Sequence, residues 1–180
     1  MKRLFKLSLF LTLLILGFIS NAQNLTIDQV ISLRTKSLVY VEEYLAARNW
    51  ELLSAKDQTR TNFGEIIYSY HRKGLDYKAN AFLTFLSHTD YPNSGRVMFQ
   101  FSNLSKNSLF INRLKMLGFK LADSGIKDGS ITKIYKNKTL AIVSTTSIIE
   151  DEVSSSSINS YKFYLFDLID FEINYQEKFL

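Results

Sequence analysis

The sequence predicts an α+β fold: a two-layer domain whose antiparallel sheet carries two helices on one face, built from two tandem α-β-β-β(-β) half-repeats spanning about 26–103 and about 104–180. Three observations predict it. One pattern of helix ending, Asn49-Trp50, recurs 69 positions later as Gly118-Phe119. Each ending is followed by three strand-like runs, several of them clearly alternating. Helices and strands are segregated along the chain, which favours helices laid on an antiparallel sheet.

The chain opens on an export signal. Lys2, Arg3 and Lys6 form a basic start, Leu7–Phe18 is apolar, and Ser20 and Ala22 supply the small residues that a signal peptidase needs. As a helix the apolar run reaches about 18 Å, short of a hydrocarbon core of about 30 Å. Residues 1–22 therefore read as a cleavable signal peptide and 23–180 as a single mature domain, exported to the periplasm or secreted, with no membrane span after cleavage. A lipoprotein anchor is excluded, because the chain contains no cysteine.

The first mature helix is expected to begin at Thr26, where Thr26-Ile-Asp-Gln29 has the form of a capping box. Ile27, Val30, Ile31, Leu38, Val41 and Leu45 make one helical stripe that runs to Asn49. Asparagine tolerates the left-handed conformation that ends helices, and Trp50 beyond it closes back on Leu45. A second helix is expected from Ser105, with Leu104 and Leu109 spaced as a hydrophobic staple, ending at Gly118 with Phe119 and Leu114 in the roles of Trp50 and Leu45.

The strand-like runs are 65–72, 78–88 and 96–103 in the first half, and 131–136, 139–147 and 161–168 in the second. Ala79, Ala81, Leu83 and Phe85 share a face, as do Val97, Phe99 and Phe101, and Tyr161, Phe163 and Leu165. Segment 169–175 alternates and reads as an extension of the last strand or an added edge strand, with a short terminal helix as the competing reading. Two tandem helix-plus-four-strand units over 26–168 resemble the β-lactamase inhibitory proteins and related small exported domains. The resemblance lies in element order and implies that architecture. Those inhibitors carry disulfides that this chain lacks, so no inhibitory function or binding residue is carried over.

Composition narrows the function. The whole chain carries +5, but three of its basic residues lie in the leader, leaving 19 basic against 17 acidic residues. A mature charge of +2 does not suit an electrostatic nucleic-acid binder. Eleven Phe, ten Tyr and one Trp remain for a core that must hold without disulfides.

No motif points to an enzyme or to a cofactor. His71 and His88 are the whole imidazole supply, and His88 with Asp90 offers two ligands where zinc needs more. No Gly-x-Ser-x-Gly occurs, and Gly125 and Gly129 lack the context of a phosphate loop. Glu150, Asp151 and Glu152 are the obvious carboxylate cluster for glycoside hydrolysis, but they sit in what reads as a solvated loop beside Ser154–Ser157. Three Asn-x-Ser/Thr triplets begin at Asn24, Asn103 and Asn137, two of them beside helix caps.

Two loops, 88–95 and 149–160, are longer than hairpins need and occupy equivalent places in the two halves, so they are expected at one end of the sheet. His88, Asp90, Tyr91, Glu150, Asp151 and Glu152 are their candidate interaction residues. The sequence thus supports an exported non-enzymatic binding module, with an envelope or extracellular protein as its partner. The alternatives are an envelope-polymer hydrolase or a carrier of an apolar ligand.

Overall fold

The computed structural model describes residues 25–71, 79–90, 95–151 and 156–179. The leader, Tyr91 and Glu152 lie outside the described residues.

The capping box forms as expected. Thr26 Oγ1 accepts from the Gln29 N–H at 3.3 Å, and Gln29 Oε1 accepts from the Thr26 N–H at 2.8 Å. The helix that follows is not continuous, however. It stops after α1 (Ile27–Leu33) and restarts as α2 (Leu38–Ala46). Ser37 is the cause: in extended conformation, its Oγ accepts from the Tyr40 N–H and caps a new helix. The break lets α1 bury Val30 and Leu33 while α2 buries Val41 and Leu45, and it turns Leu38 out to solvent.

Both expected helix ends are left-handed, Asn49 at φ 60° and Gly118 at φ 81°. At the second, Gly118 N–H donates to Lys115 O and Phe119 N–H to Leu114 O, which is a Schellman closure. This helix, α3 (Leu104–Met116), starts one residue before Ser105, because Asn103 Oδ1 caps it by accepting from the Lys106 N–H at 2.9 Å. Leu104 and Leu109 are both exposed, so the expected staple is not made.

Eight strands follow: β1 (Trp50–Lys56), β2 (Gly64–Tyr70), β3 (Ala81–Ser87), β4 (Arg96–Phe101), β5 (Lys120–Lys127), β6 (Ser130–Lys136), β7 (Leu140–Asp151) and β8 (Ser156–Asp167). They form one sheet in the order β1-β2-β3-β4-β8-β7-β6-β5, and every neighbouring pair is antiparallel. The α+β two-layer architecture is therefore as the sequence predicts. Each half lays its strands from an outer edge inward, and the halves meet at β4 and β8, where Phe99 faces Phe163. The edge strands β1 and β5 escape the alternation pattern because each carries a register shift, Leu52/Ser54 in one and Leu121/Asp123 in the other, which interrupts the period of two.

Three helices, not two, cover one sheet face. Phe99, Phe101 and Phe163 from the strands meet Phe110 of α3 with ring centroids 5.2–5.7 Å apart, beside Leu83, Val41, Leu45 and Val30. The tail takes the competing reading, a short terminal helix, and not the strand. It forms α4 (Leu168–Asn174) and a single turn, α5 (Gln176–Phe179), and α4 packs on the opposite face against Ile134, Ala141, Val143 and Phe166. The apparent alternation misleads here: Ile169 and Ile173 are 72% and 74% exposed, while Leu168, Phe171 and Tyr175 share a helical stripe.

The expected loop 149–160 is also largely sheet. β7 and β8 stay paired from Ser147↔Ser160 out to Asp151↔Ser156, in two stretches that contain no Gly or Pro to interrupt the ladder. The two connections emerge from opposite ends of the sheet, not the same end. Segment 88–95 leads into the start of β4, which lies beside the end of β8, whereas the β7–β8 turn lies at the start of β8. An antiparallel central pair makes this unavoidable.

Candidate ligand-binding cleft

Among the described residues, the sequence-predicted ones fall into two groups at opposite ends of the sheet, His88 and Asp90 at one and Glu150 and Asp151 at the other. His88 is buried, and it is spoken for. Its Nδ1 accepts from the Asp90 N–H at 3.1 Å, so Nε2 carries the proton donated to Thr59 O at 3.0 Å. Phe63 lies 5.2 Å from its ring, and Gln58 and Thr89 exchange hydrogen bonds of 2.8 and 2.9 Å alongside. His88 thus locks the β1–β2 connection onto the end of β3. Asp90 is exposed beside it. His71, stacked on Tyr70, stands at the other end of the β2–β3 hairpin, since Tyr70 pairs with Ala81 and Gly64 with Ser87. Glu150 and Asp151 are paired in β7 with Ser157 and Ser156, at the far end of the sheet from His88. Among the described residues no three His, Asp or Glu side chains are placed to share a metal ion. The Asn-x-Ser/Thr triplets find structural roles: Thr26 and Asn103 cap helices, and Asn137 Oδ1 accepts from the Thr139 and Leu140 N–H groups in a turn.

The structure presents a different site. Where the start of α1 passes the start of α3, a cleft of about 640 Å³ opens between them. Two other depressions among the described residues, beside β5 and below α2, measure about 310 and 210 Å³. Leu25 and Ile27 wall the larger cleft on one side, Leu109 and Phe110 on the other, with Leu109 67% exposed at its mouth. Asp28 and Arg113 close one rim, joined by hydrogen bonds of 2.8, 3.0 and 3.1 Å. The Arg113 hydrogen bonds hold the Asp28 carboxyl below its ordinary range, against a smaller opposing effect of burial.

Lys106 lines this cleft. It stands at the third position of α3, four residues before Phe110 and eight before Leu114, so the helix turns it toward the sheet with the core stripe. Its Nζ is shielded from solvent and has no hydrogen-bond partner among the described residues. It lies 4.7, 5.2 and 5.3 Å from the ring centroids of Phe99, Phe101 and Phe110. Burial pushes the amine down from 10.5 to about 7. The ring faces attract the ammonium form, so the amine is poised to hold or release a proton near neutrality.

Sequence reasoning passed over this lysine, although a signal existed. Extending the buried pair Phe110 and Leu114 back by one helical step lands on Lys106, a cation in line with a core stripe.

No protein-family model matches the chain, and no curated protein or solved structure matches it either.

Proposed function

We propose that this is an exported binding protein without catalytic chemistry of its own, which takes an apolar ligand in the cleft between α1 and α3. The observation that carries the reading is the cleft itself. Its volume falls in the range of about 300–1,000 Å³ typical of small-molecule sites, and Leu25, Ile27, Leu109 and Phe110 give it apolar walls. Hydrolysis of a polymer by paired carboxylates is disfavoured here, because among the described residues the cleft carries one carboxylate, Asp28, and Arg113 occupies it. Export rests on the leader pattern. Descent of the two halves from a tandem repeat is supported by the matching register shifts and the matching left-handed helix ends.

A second reading has its own observation. β5 is a fully exposed edge strand, and Leu121, Ile126 and Ile131 lie uncovered on it and on β6. Such an edge is a template for pairing with an envelope or extracellular protein.

Titration with N-phenyl-1-naphthylamine, an uncharged probe that brightens in apolar surroundings, tests the cleft. Saturable one-to-one binding to the processed protein, weakened about tenfold or more by Leu109→Asp, is the expected result. Absence of saturable binding, or equal binding by the variant, would overturn it.

A further inference from the structure

We infer that the cleft takes a ligand with a carboxylate head and an apolar tail, such as a long-chain fatty acid, and that Lys106 is the group that meets the carboxylate. The inference rests on the cleft reading above and gives it a ligand class.

Three features of the site point to this chemistry. The first is an amine without a partner. A buried Nζ with three N–H or lone-pair positions unmet is costly to keep, and a core position filled by Leu or Met would avoid that cost. A ligand that supplies an acceptor relieves it. The second is charge complementarity. The carboxylate already on the cleft wall, Asp28, is bonded to Arg113, and among the described residues Lys106 has no counter-ion. One amine suits one carboxylate, whereas a phosphate headgroup would bring up to two charges and call for more donors. The third is the shape of the remainder. Beyond the amine most of the lining surface is apolar, from Leu25, Ile27 and Phe110 beside the polar Thr26, Asn103 and Ser105, and exposed Leu109 continues it to the mouth, which suits an alkyl chain.

The amine rests against Phe99, Phe101 and Phe110. The flexible four-carbon stem allows Nζ to turn from the rings into the cleft when a carboxylate enters. The neutral amine then takes one proton from solvent, and the ammonium and carboxylate pair in a medium that excludes water, where charge-assisted hydrogen bonds are strong. Above neutral pH, binding is therefore coupled to proton uptake. The same coupling makes the site selective: a hydrocarbon of equal length gains the apolar contacts alone, and an alcohol adds one uncharged hydrogen bond, weaker than the ion pair.

Displacement of the naphthylamine probe by palmitate and by hexadecanol, on wild-type protein, Lys106→Met and Leu109→Asp, tests the inference. On wild type, palmitate is expected to displace the probe at a concentration about tenfold or more below that of hexadecanol. In Lys106→Met this advantage of palmitate over hexadecanol disappears. The ¹³Cε resonance of Lys106 is expected to titrate near neutrality in the free protein and at higher pH with palmitate bound, but not with hexadecanol bound. Equal displacement by acid and alcohol on wild type, or an acid preference that survives Lys106→Met, overturns the carboxylate inference and leaves the cleft reading standing. Displacement by neither compound, together with a probe that ignores Leu109→Asp, overturns both.

Discussion

Arg96 grips Asp170 across 74 residues of chain, its Nε and Nη2 donating to the two carboxylate oxygens at 2.8 and 2.7 Å. Both side chains are buried, Tyr175 Oη accepts from Arg96 Nη1 at 2.6 Å, and the guanidinium lies over the rings of Phe63 and Tyr175. This cluster fastens α4 to the sheet face that the other helices leave open. On the helix side Arg34 donates to Gly95 O and to Asp167, so the junction of β8 and α4 is held from both faces.

Removing one partner of such a pair strands the other charge. Asp170→Ala is expected to lower unfolding stability by about 3 kcal/mol, read from a denaturant midpoint, and to raise hydrogen exchange in α4 first. Burial would raise the Asp170 carboxyl, but hydrogen bonds from Arg96 and Asn174 and the Arg96 charge outweigh it and hold the group below its ordinary value of 3.8. Its stabilisation is therefore complete above the unfolded value and is lost as pH falls through the lower folded one. Asp170→Asn should lose that part of the acid dependence. A variant as acid-sensitive as wild type would refute the assignment.

Lys106 gives a slope of the same sign at higher pH, but as the release of a burial penalty rather than the gain of a favourable pair. Between about 7 and 10.5 the unfolded chain holds a proton that the folded amine has released, so stability rises with pH across that window. Lys106→Met is expected to flatten the slope and to raise stability at pH 7 by about 2 kcal/mol. Thermal unfolding at pH 7 and pH 9 measures both effects. A destabilised variant would mean that the amine serves packing and not a ligand.

The two left-handed helix ends should respond in opposite ways. A Cβ at Gly118 would meet nothing within 4 Å, so Gly118→Ala carries backbone strain alone, about 1–2 kcal/mol. Asn49→Gly removes strain at φ 60° and should leave stability unchanged or slightly higher. Urea midpoints of the two variants compare them directly.

His88→Ala unties the β1–β2 connection from β3 and leaves Thr59 O and the Asp90 N–H without their partner. The expected loss is about 1–3 kcal/mol of stability, with probe binding in the cleft unaltered. Weakened probe binding in a folded variant would contradict the structural role assigned to it.

Much of the fold is legible in short stretches of sequence. Thr26 and Gln29 cap each other within one turn, and Asn49 and Gly118 end helices through their own backbone preferences. The alternation of Val97, Phe99 and Phe101 marks a strand because its neighbours along the chain are enough to show two faces. Where the reading fails, a competing local feature or a distant partner is responsible. Ser37 caps a new helix inside an unbroken apolar stripe, and register shifts hide both edge strands. Ile169, Phe171 and Ile173 alternate like a strand until Phe166 and Tyr175 make the helix the better burial of Phe171.

The sequence by itself determined the capping box at Thr26, the left-handed helix ends at Asn49 and Gly118, the central strands of each half, and that helices lie on an antiparallel sheet. These follow from signals carried within a few residues. Tertiary structure alone decided that α4 crosses to the opposite face, that His88 fastens the β1–β2 connection to β3, and that the Lys106 amine is shielded from solvent. Lys106 owes its environment to two strand phenylalanines and a helix phenylalanine, and its cleft to α1, which Arg113 meets across 85 residues. Burial is a property of what a side chain meets after folding, and no spacing along the chain records it.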